Sequence, residues 1–197
     1  MNRRSFLYVT TTAVGAAGVV AAVWPLIDQM NPDAGVRAGA ELVEVDAAAL
    51  SPAGQRVVRW HNVPVSVVRR TAAMLERMRE QSFVARLVDP ESRRRQQPAY
   101  AQNWHRSIDP AYAVLASVCT RCGCLVHYQP DASPPDPAGG YICPCCASHY
   151  DPAGRAYGGV AQYNLPVPPC AVVGRSTIVI GRNMAGEIFS LESIERI

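Results

Sequence analysis

The sequence predicts a mostly β, antiparallel fold behind a single membrane-spanning helix, and three observations carry that prediction. Sixteen Pro and fourteen Gly punctuate the chain, too many for a helix bundle and suited to short strands joined by turns. Apolar runs of strand length recur after residue 40. Before them, Ser5 to Ile27 are 23 consecutive residues without a charge, bounded by Arg3-Arg4 and Asp28, long enough to cross a bilayer. The 197 residues, 49% apolar and 18% charged, suffice for one ordinary core and a terminal appendage.

The apolar run comes first in the chain. Ala13, Gly15, Ala16, Ala17 and Gly18 supply small side chains for close helix packing, and Trp24 stands near the outer end, where aromatic residues favour the interface. Asn2-Arg3-Arg4-Ser5-Phe6-Leu7 resembles the twin-arginine export signal, a route for proteins already folded around a cofactor. Positive charge keeps that end in the cytoplasm and sets the rest on the outer face of the inner membrane, in a periplasm that permits disulfides. The alternative is a cleaved secretory signal with Ala38-Gly39-Ala40 as the small-residue site, against which stands an apolar run longer than the usual h-region of about 7 to 15 residues. The expected organisation is an anchor over 1–30, a flexible Pro- and Gly-broken tether over 31–41 and a head over 42–197.

Within the head, Glu41 to Asp46, Gln55 to His61 and Val63 to Arg69 read as short strands, the last two joined as a hairpin around Asn62. Thr71 to Ser82 has helical spacing, with Thr71 as N-cap and Met74, Leu75 and Met78 on one face, where the methionines serve the core rather than a metal. Arg93-Arg94-Arg95 reads as a solvated turn or as a docking surface for an acidic partner. Ala113 to Val118, Thr177 to Gly181 and Glu187 to Leu191 are the remaining strand candidates.

Nineteen basic against sixteen acidic residues leave a formal charge of +3 spread along the chain, which offers no case for nucleic acid. Every basic residue is Arg, so a lysine nucleophile or Schiff base is excluded. The informative count is seven cysteines, six of them between Cys119 and Cys146, a clustering that means metal, disulfide or both. One loop reads Cys119-Thr120-Arg121-Cys122-Gly123-Cys124. The other reads Cys143-Pro144-Cys145-Cys146-Ala147-Ser148-His149-Tyr150-Asp151.

These loops resemble those of the Rieske iron-sulfur subunit of the cytochrome bc1 complex, Cys-Thr-His-Leu-Gly-Cys and Cys-Pro-Cys-His-Gly-Ser-x-Tyr-Asp. Cys119, Thr120, Gly123, Cys124, Cys143, Pro144, Cys145, Ser148, Tyr150 and Asp151 match in place. The stretch from Trp24 to Pro32 resembles the family's membrane-exit segment, and Asn164 to Pro169 its segment after the cluster. The resemblance implies a Rieske-type antiparallel β-sandwich with a cluster-binding subdomain at about 113–165. It implies a [2Fe-2S] cluster with Cys119 and Cys143 on one iron, and a disulfide between Cys124 and Cys145. Ser148 and Tyr150 would donate hydrogen bonds to sulfur that favour the reduced, more negative state. It also implies transfer of electrons from ubiquinol to cytochrome c1, with cytochrome b and cytochrome c1 as partners in the membrane.

The chain departs from the family where the ligands matter. Arg121 and Cys146 stand in place of the two ligating histidines, and Cys122 in place of the leucine. A guanidinium has no lone pair for a metal. The substitutions create Cys119-x-x-Cys122 and Cys143-x-x-Cys146, a spacing that builds four-thiolate sites, with Cys170 left as a buried apolar residue. His127 and His149 are weaker ligand candidates. All-thiolate plant-type clusters lie near −400 mV against about −150 to +300 mV for Rieske centres, so the potential should fall by hundreds of millivolts. The alternatives are therefore a divergent paralogue with a four-cysteine iron-sulfur, single-iron or zinc site that does not oxidise quinol, or plain disulfides and no metal. Gly159-Val160-Ala161-Gln162 replaces the family's Gly-Pro-Ala-Pro cover and predicts a looser one.

Overall fold

The computed structural model describes residues 2–31, 42–131, 139–174, 176–183 and 189–195, in two compact units, Met1–Ala38 and Gly39–Ile197. The expected tether over 31–41 lies, beyond residue 31, outside the described residues. The first unit holds one helix, α1 (Arg3–Asp28), whose 26 residues make it long and apolar enough to cross a membrane, at about 39 Å from a rise of 1.5 Å per residue. Thr10, Thr11 and Thr12 donate their hydroxyl protons to the carbonyls of Phe6, Leu7 and Tyr8 at 2.7, 2.8 and 2.8 Å. Their polar groups are thus satisfied within the helix, as a lipid environment demands.

In chain order the strands of the second unit are β1 (Val43–Asp46), β2 (Gln55–Trp60), β3 (Val63–Arg69), β4 (Tyr112–Ala116), β5 (His127–Gln129), β6 (Gly140–Ile142), β7 (His149–Tyr150), β8 (Ala156–Gly158), β9 (Cys170–Val173) and β10 (Thr177–Ile180). They form three antiparallel sheets with orders β1-β10-β9, β2-β3-β4 and β5-β6-β7-β8. β2 and β3 pair from Gln55 opposite Val68 to Trp60 opposite Val63. His61 and Asn62 turn between them with φ of 47° and 63°, the left-handed pair that a two-residue hairpin requires.

The central sheet separates two cores because its side chains alternate faces. Val65, Val67 and Val114 pack with Val45, Trp60, Ile178 and Ile180 on one side. Val68, Ala113 and Leu115 pack with Val126, Tyr141, Tyr150 and Leu165 on the other. Burial on both faces accounts for the unbroken run Val65 to Val68, all buried. Its one hydroxyl is satisfied, Ser66 Oγ accepting from Gln55 Nε2 at 2.8 Å.

Two expected elements differ. The helix expected over 71–82 is two short ones, α2 (Ala72–Arg77) and α3 (Gln81–Val84), with Thr71 Oγ1 accepting from Met74 N at 3.2 Å as its cap. Met78 and Phe83 are both buried, yet five residues along one helix would point them about 140° apart. A break at Arg79-Glu80 turns both inward. The strand expected over Glu187 to Leu191 is absent from its described part, where Leu191–Ser193 forms a 3-10 turn. Phe189 and Leu191 are nonetheless buried in the core of the β1-β10-β9 side, so the alternation reported burial without a strand partner.

Candidate metal centre

Each cysteine-rich loop is the tip of a hairpin. The first leaves β4 and returns to β5, closed by Val118 paired with Leu125 and by Cys119 N donating to Cys124 O at 2.8 Å. The second joins β6 to β7, closed by Cys143 N donating to Ser148 O at 2.9 Å. Both tips turn alike: Gly123 N donates to Cys119 O at 2.9 Å and Ala147 N to Cys143 O at 3.0 Å, with left-handed φ of 73° and 49°. Gly123 has open space where a Cβ would lie, so it serves there for its backbone.

The tips bring four sulfurs together. Cys119, Cys122, Cys143 and Cys146 place their Sγ atoms all within 4.8 Å of one another. Cys119 lies 3.6 Å from Cys146, Cys122 3.4 Å from Cys143, and Cys122 3.6 Å from Cys146. Cys119 and Cys143 are buried, Cys146 half-buried and Cys122 exposed, so one edge of the group faces solvent. A disulfide between Cys124 and Cys145, the pair implied by the resemblance, staples tip to tip. His127 and His149 sit on β5 and β7, outside the groups able to hold a metal among the described residues. Cys170 belongs to the opposite core, where Tyr100 Oη lies 3.2 Å from its sulfur and burial pushes the thiol up to about 11.

Ser148 and Tyr150 both reach these sulfurs. Ser148 Oγ accepts from Ala161 N at 3.1 Å, which leaves its own proton for Cys146 Sγ, also at 3.1 Å. Tyr150 Oη lies 3.3 Å from Cys119 Sγ and 3.2 Å from Thr120 Oγ1, whose own proton goes to Tyr163 O at 2.8 Å; burial holds its phenol above the ordinary range, so it keeps its proton. Burial opposes ionisation of Cys146, but hydrogen bonds from Ser148 and the neighbouring thiols outweigh it and bring the thiol down to about 7. Burial, reinforced by Cys122, takes Cys143 up to about 12.

The cover segment lacks proline but is tethered. Gly159 has φ 79° and sits where a Cβ would come 2.4 Å from Ala147 O, Ala161 is held by Ser148, and Gln162 O accepts from the Arg94 guanidinium. That guanidinium also stacks on Tyr163, 4.6 Å from the ring centre. Arg93-Arg94-Arg95 is thus more than a solvated turn, since the Asp89 carboxylate binds the backbone N–H groups of Arg93 and Arg94, both at 3.0 Å. Neither Ala161 nor Arg94 was legible as a site residue, because one acts through its backbone and the other from a distant loop.

Behind the second tip, Asp151 is fully buried and paired with Arg155 at 2.7 Å, Nε to Oδ2. Its other oxygen accepts from the backbone N–H of Ala153 and Arg155 at 2.9 and 2.8 Å. Arg70 donates to Pro152 O and Arg106 to Ala153 O, both at 3.1 Å. Burial lowers these two guanidinium pKa values to about 10 and about 9, which leaves them charged at neutral pH. This network fixes the turn from which Tyr150 projects.

Four soft donors at hairpin tips can hold a borderline-soft cation in a tetrahedral site. They do not fit the two-histidine cluster of the Rieske pattern, which needs a pair of imidazoles on one iron: Arg121 is exposed at the tip, and among the described residues no histidine joins the four sulfurs.

An N-terminal helix long and apolar enough to cross a membrane, an antiparallel β head and two stapled cysteine loops whose sulfurs could hold a metal set the class of the protein. A family model described as "Ubiquitinol-cytochrome C reductase Fe-S subunit TAT signal" matches residues 1–33. The ubiquinol-cytochrome c reductase iron-sulfur subunit of Rhodospirillum rubrum is 43% identical over 91% of this chain and 92% of its own length. Those of Allochromatium vinosum and Cereibacter sphaeroides are each 39% identical, over 92% and 91% of this chain and 89% and 95% of theirs. A chain of a hyperthermophilic respiratory Complex III aligns over 86% of this chain and 98% of its own, with TM-score 0.48 and 21% identity. The chain belongs to the family of Rieske iron-sulfur subunits of ubiquinol-cytochrome c reductase, and departs from the family pattern at both histidine positions.

Proposed function

We propose that this chain is the membrane-anchored electron-transfer subunit of a bc1-type complex, with α1 in the inner membrane, a tether over 31–41 and a periplasmic head working beside cytochrome b and cytochrome c1. The observation that carries this reading is the convergence of four thiols at the stapled hairpin tips of a chain related to such subunits over nine-tenths of its length. A redox-active centre held by Cys119, Cys122, Cys143 and Cys146 would supply the electron store; Ser148 and Tyr150 donate hydrogen bonds that stabilise its sulfurs. The solvent-facing edge formed by Cys122 and Cys146 is the side from which a partner can approach.

The donor set also favours a second reading. A thiolate bound to metal has no free basic nitrogen to accept a proton from quinol, and thiolate ligation lowers the potential. Both suit a divergent carrier that does not itself oxidise ubiquinol. The test is to supply this chain as the only iron-sulfur subunit in a bacterium deleted for its own. Co-purification with cytochromes b and c1 is the result expected of the proposal, and its absence overturns it. Ubiquinol–cytochrome c turnover in those membranes favours the family activity; assembly without turnover favours the second reading.

A further inference from the structure

We infer that the four thiols take a single tetrahedral cation, iron or zinc, and not a two-iron cluster; the inference rests on their being a metal centre at all. A tetrahedral ion with metal–sulfur bonds of about 2.3 Å sets its sulfurs about 3.8 Å apart. A two-iron cluster is two such tetrahedra sharing an edge of bridging sulfides, so its outer thiolate pairs stand about 5.3 Å apart, √2 times the edge, and further on the diagonals. Four of the six thiolate separations must then exceed 5 Å by this estimate. In this chain none exceeds 4.8 Å.

No assignment of cysteines to two irons escapes the conflict. The short contacts run from Cys119 to Cys146, from Cys146 to Cys122 and from Cys122 to Cys143, at 3.6, 3.6 and 3.4 Å. Pairing Cys119 with Cys122, or Cys119 with Cys143, leaves at least two short contacts between irons. Pairing Cys119 with Cys146 still leaves that between Cys122 and Cys146. The three short separations lie near the edge of about 3.8 Å of one tetrahedron, and the others stay below the separation of about 5.3 Å that two irons require.

The backbone supplies an independent observation. The two tips share the same five-residue turn, cysteine to left-handed residue, and Ser148 Oγ, which accepts from Ala161 N, donates to Cys146 Sγ at 3.1 Å. Such donors compensate the charge of coordinated thiolates. Loading is balanced by proton release, since one divalent cation and four thiols give a dianionic tetrathiolate and up to four protons.

The experiment is metal and acid-labile sulfide analysis of the full chain, purified in detergent, with X-ray absorption at the metal edge. The expected result is one metal per chain, no labile sulfide and a single shell of four sulfurs with no metal–metal scattering. Two irons and two sulfides per chain overturn this inference and leave electron transfer standing. One zinc upholds it and overturns electron transfer, whereas a metal-free chain whose four cysteines are disulfide-bonded overturns both. Cys122→Ser, at an exposed position, should lose the metal, and Arg121→Ala should keep it. Retention by Cys122→Ser counts against the four-sulfur set, provided near-native circular dichroism shows that the variant is folded.

Discussion

Four loop positions separate this site from the family pattern, Arg121, Cys122, Cys146 and Ala147, and the first three matter through their lone pairs. Arg121 offers none, while Cys122 and Cys146 offer charged sulfur where the pattern has a leucine and a neutral imidazole. Net charge sets the potential: two added thiolates make every redox state more negative and harder to reduce. Restoring the pattern with Arg121→His, Cys122→Leu and Cys146→His together should permit a two-histidine cluster. Its potential should lie in the Rieske range of about −150 to +300 mV. Redox titration monitored by EPR checks this, and an unchanged spectrum and potential would refute the ligand assignment. Spacing alone made the four sulfurs legible. It could not reveal that Ser148 has its proton free for Cys146, because that follows from Ala161 reaching it across thirteen residues.

At the scale of elements, the tips carry a local strain that sequence marks on one side only. Gly123 takes its left-handed conformation freely, but Ala147 adopts φ 49° at the equivalent place, where an L side chain costs about 1–2 kcal/mol. Ala147→Gly should therefore stabilise the head by about 1 kcal/mol, less the entropy glycine adds to the unfolded chain. Thermal unfolding of the full chain reads this as a rise in midpoint with the metal content unchanged; a fall would mean that the Ala147 methyl has a packing role. Other elements were unequally legible. Val63 to Arg69 was legible as a short valine-rich strand of a hairpin and is β3 with the expected ends. β5 to β9 are two to four residues each, too short for any period to register, and only pairing makes them strands.

For the whole molecule, one end of the chain dictates where the other must work. The match of residues 1–33 to a twin-arginine signal and the apolar α1 describe a translocated, membrane-anchored subunit. Replacing Arg3 and Arg4 together by Lys keeps the charge but removes the guanidinium pair that the export route reads. The head should then remain inside, which protease digestion of spheroplasts detects as loss of cleavage; unchanged cleavage would show that export uses another route.

The sequence alone determined what depends on order along the chain: the apolar helix from an uninterrupted apolar run, the hairpin tips from clustered cysteines, and the lack of histidine at the family's two ligand positions from two letters. The tertiary structure decided what depends on distance: that Cys119 and Cys146, or Cys122 and Cys143, meet within 3.6 Å, and that the helix after Thr71 breaks to bury both Met78 and Phe83. Spacing names which donors are present. How far apart a fold holds them, which separates one ion from two, is set by pairing and packing between segments far apart in the chain.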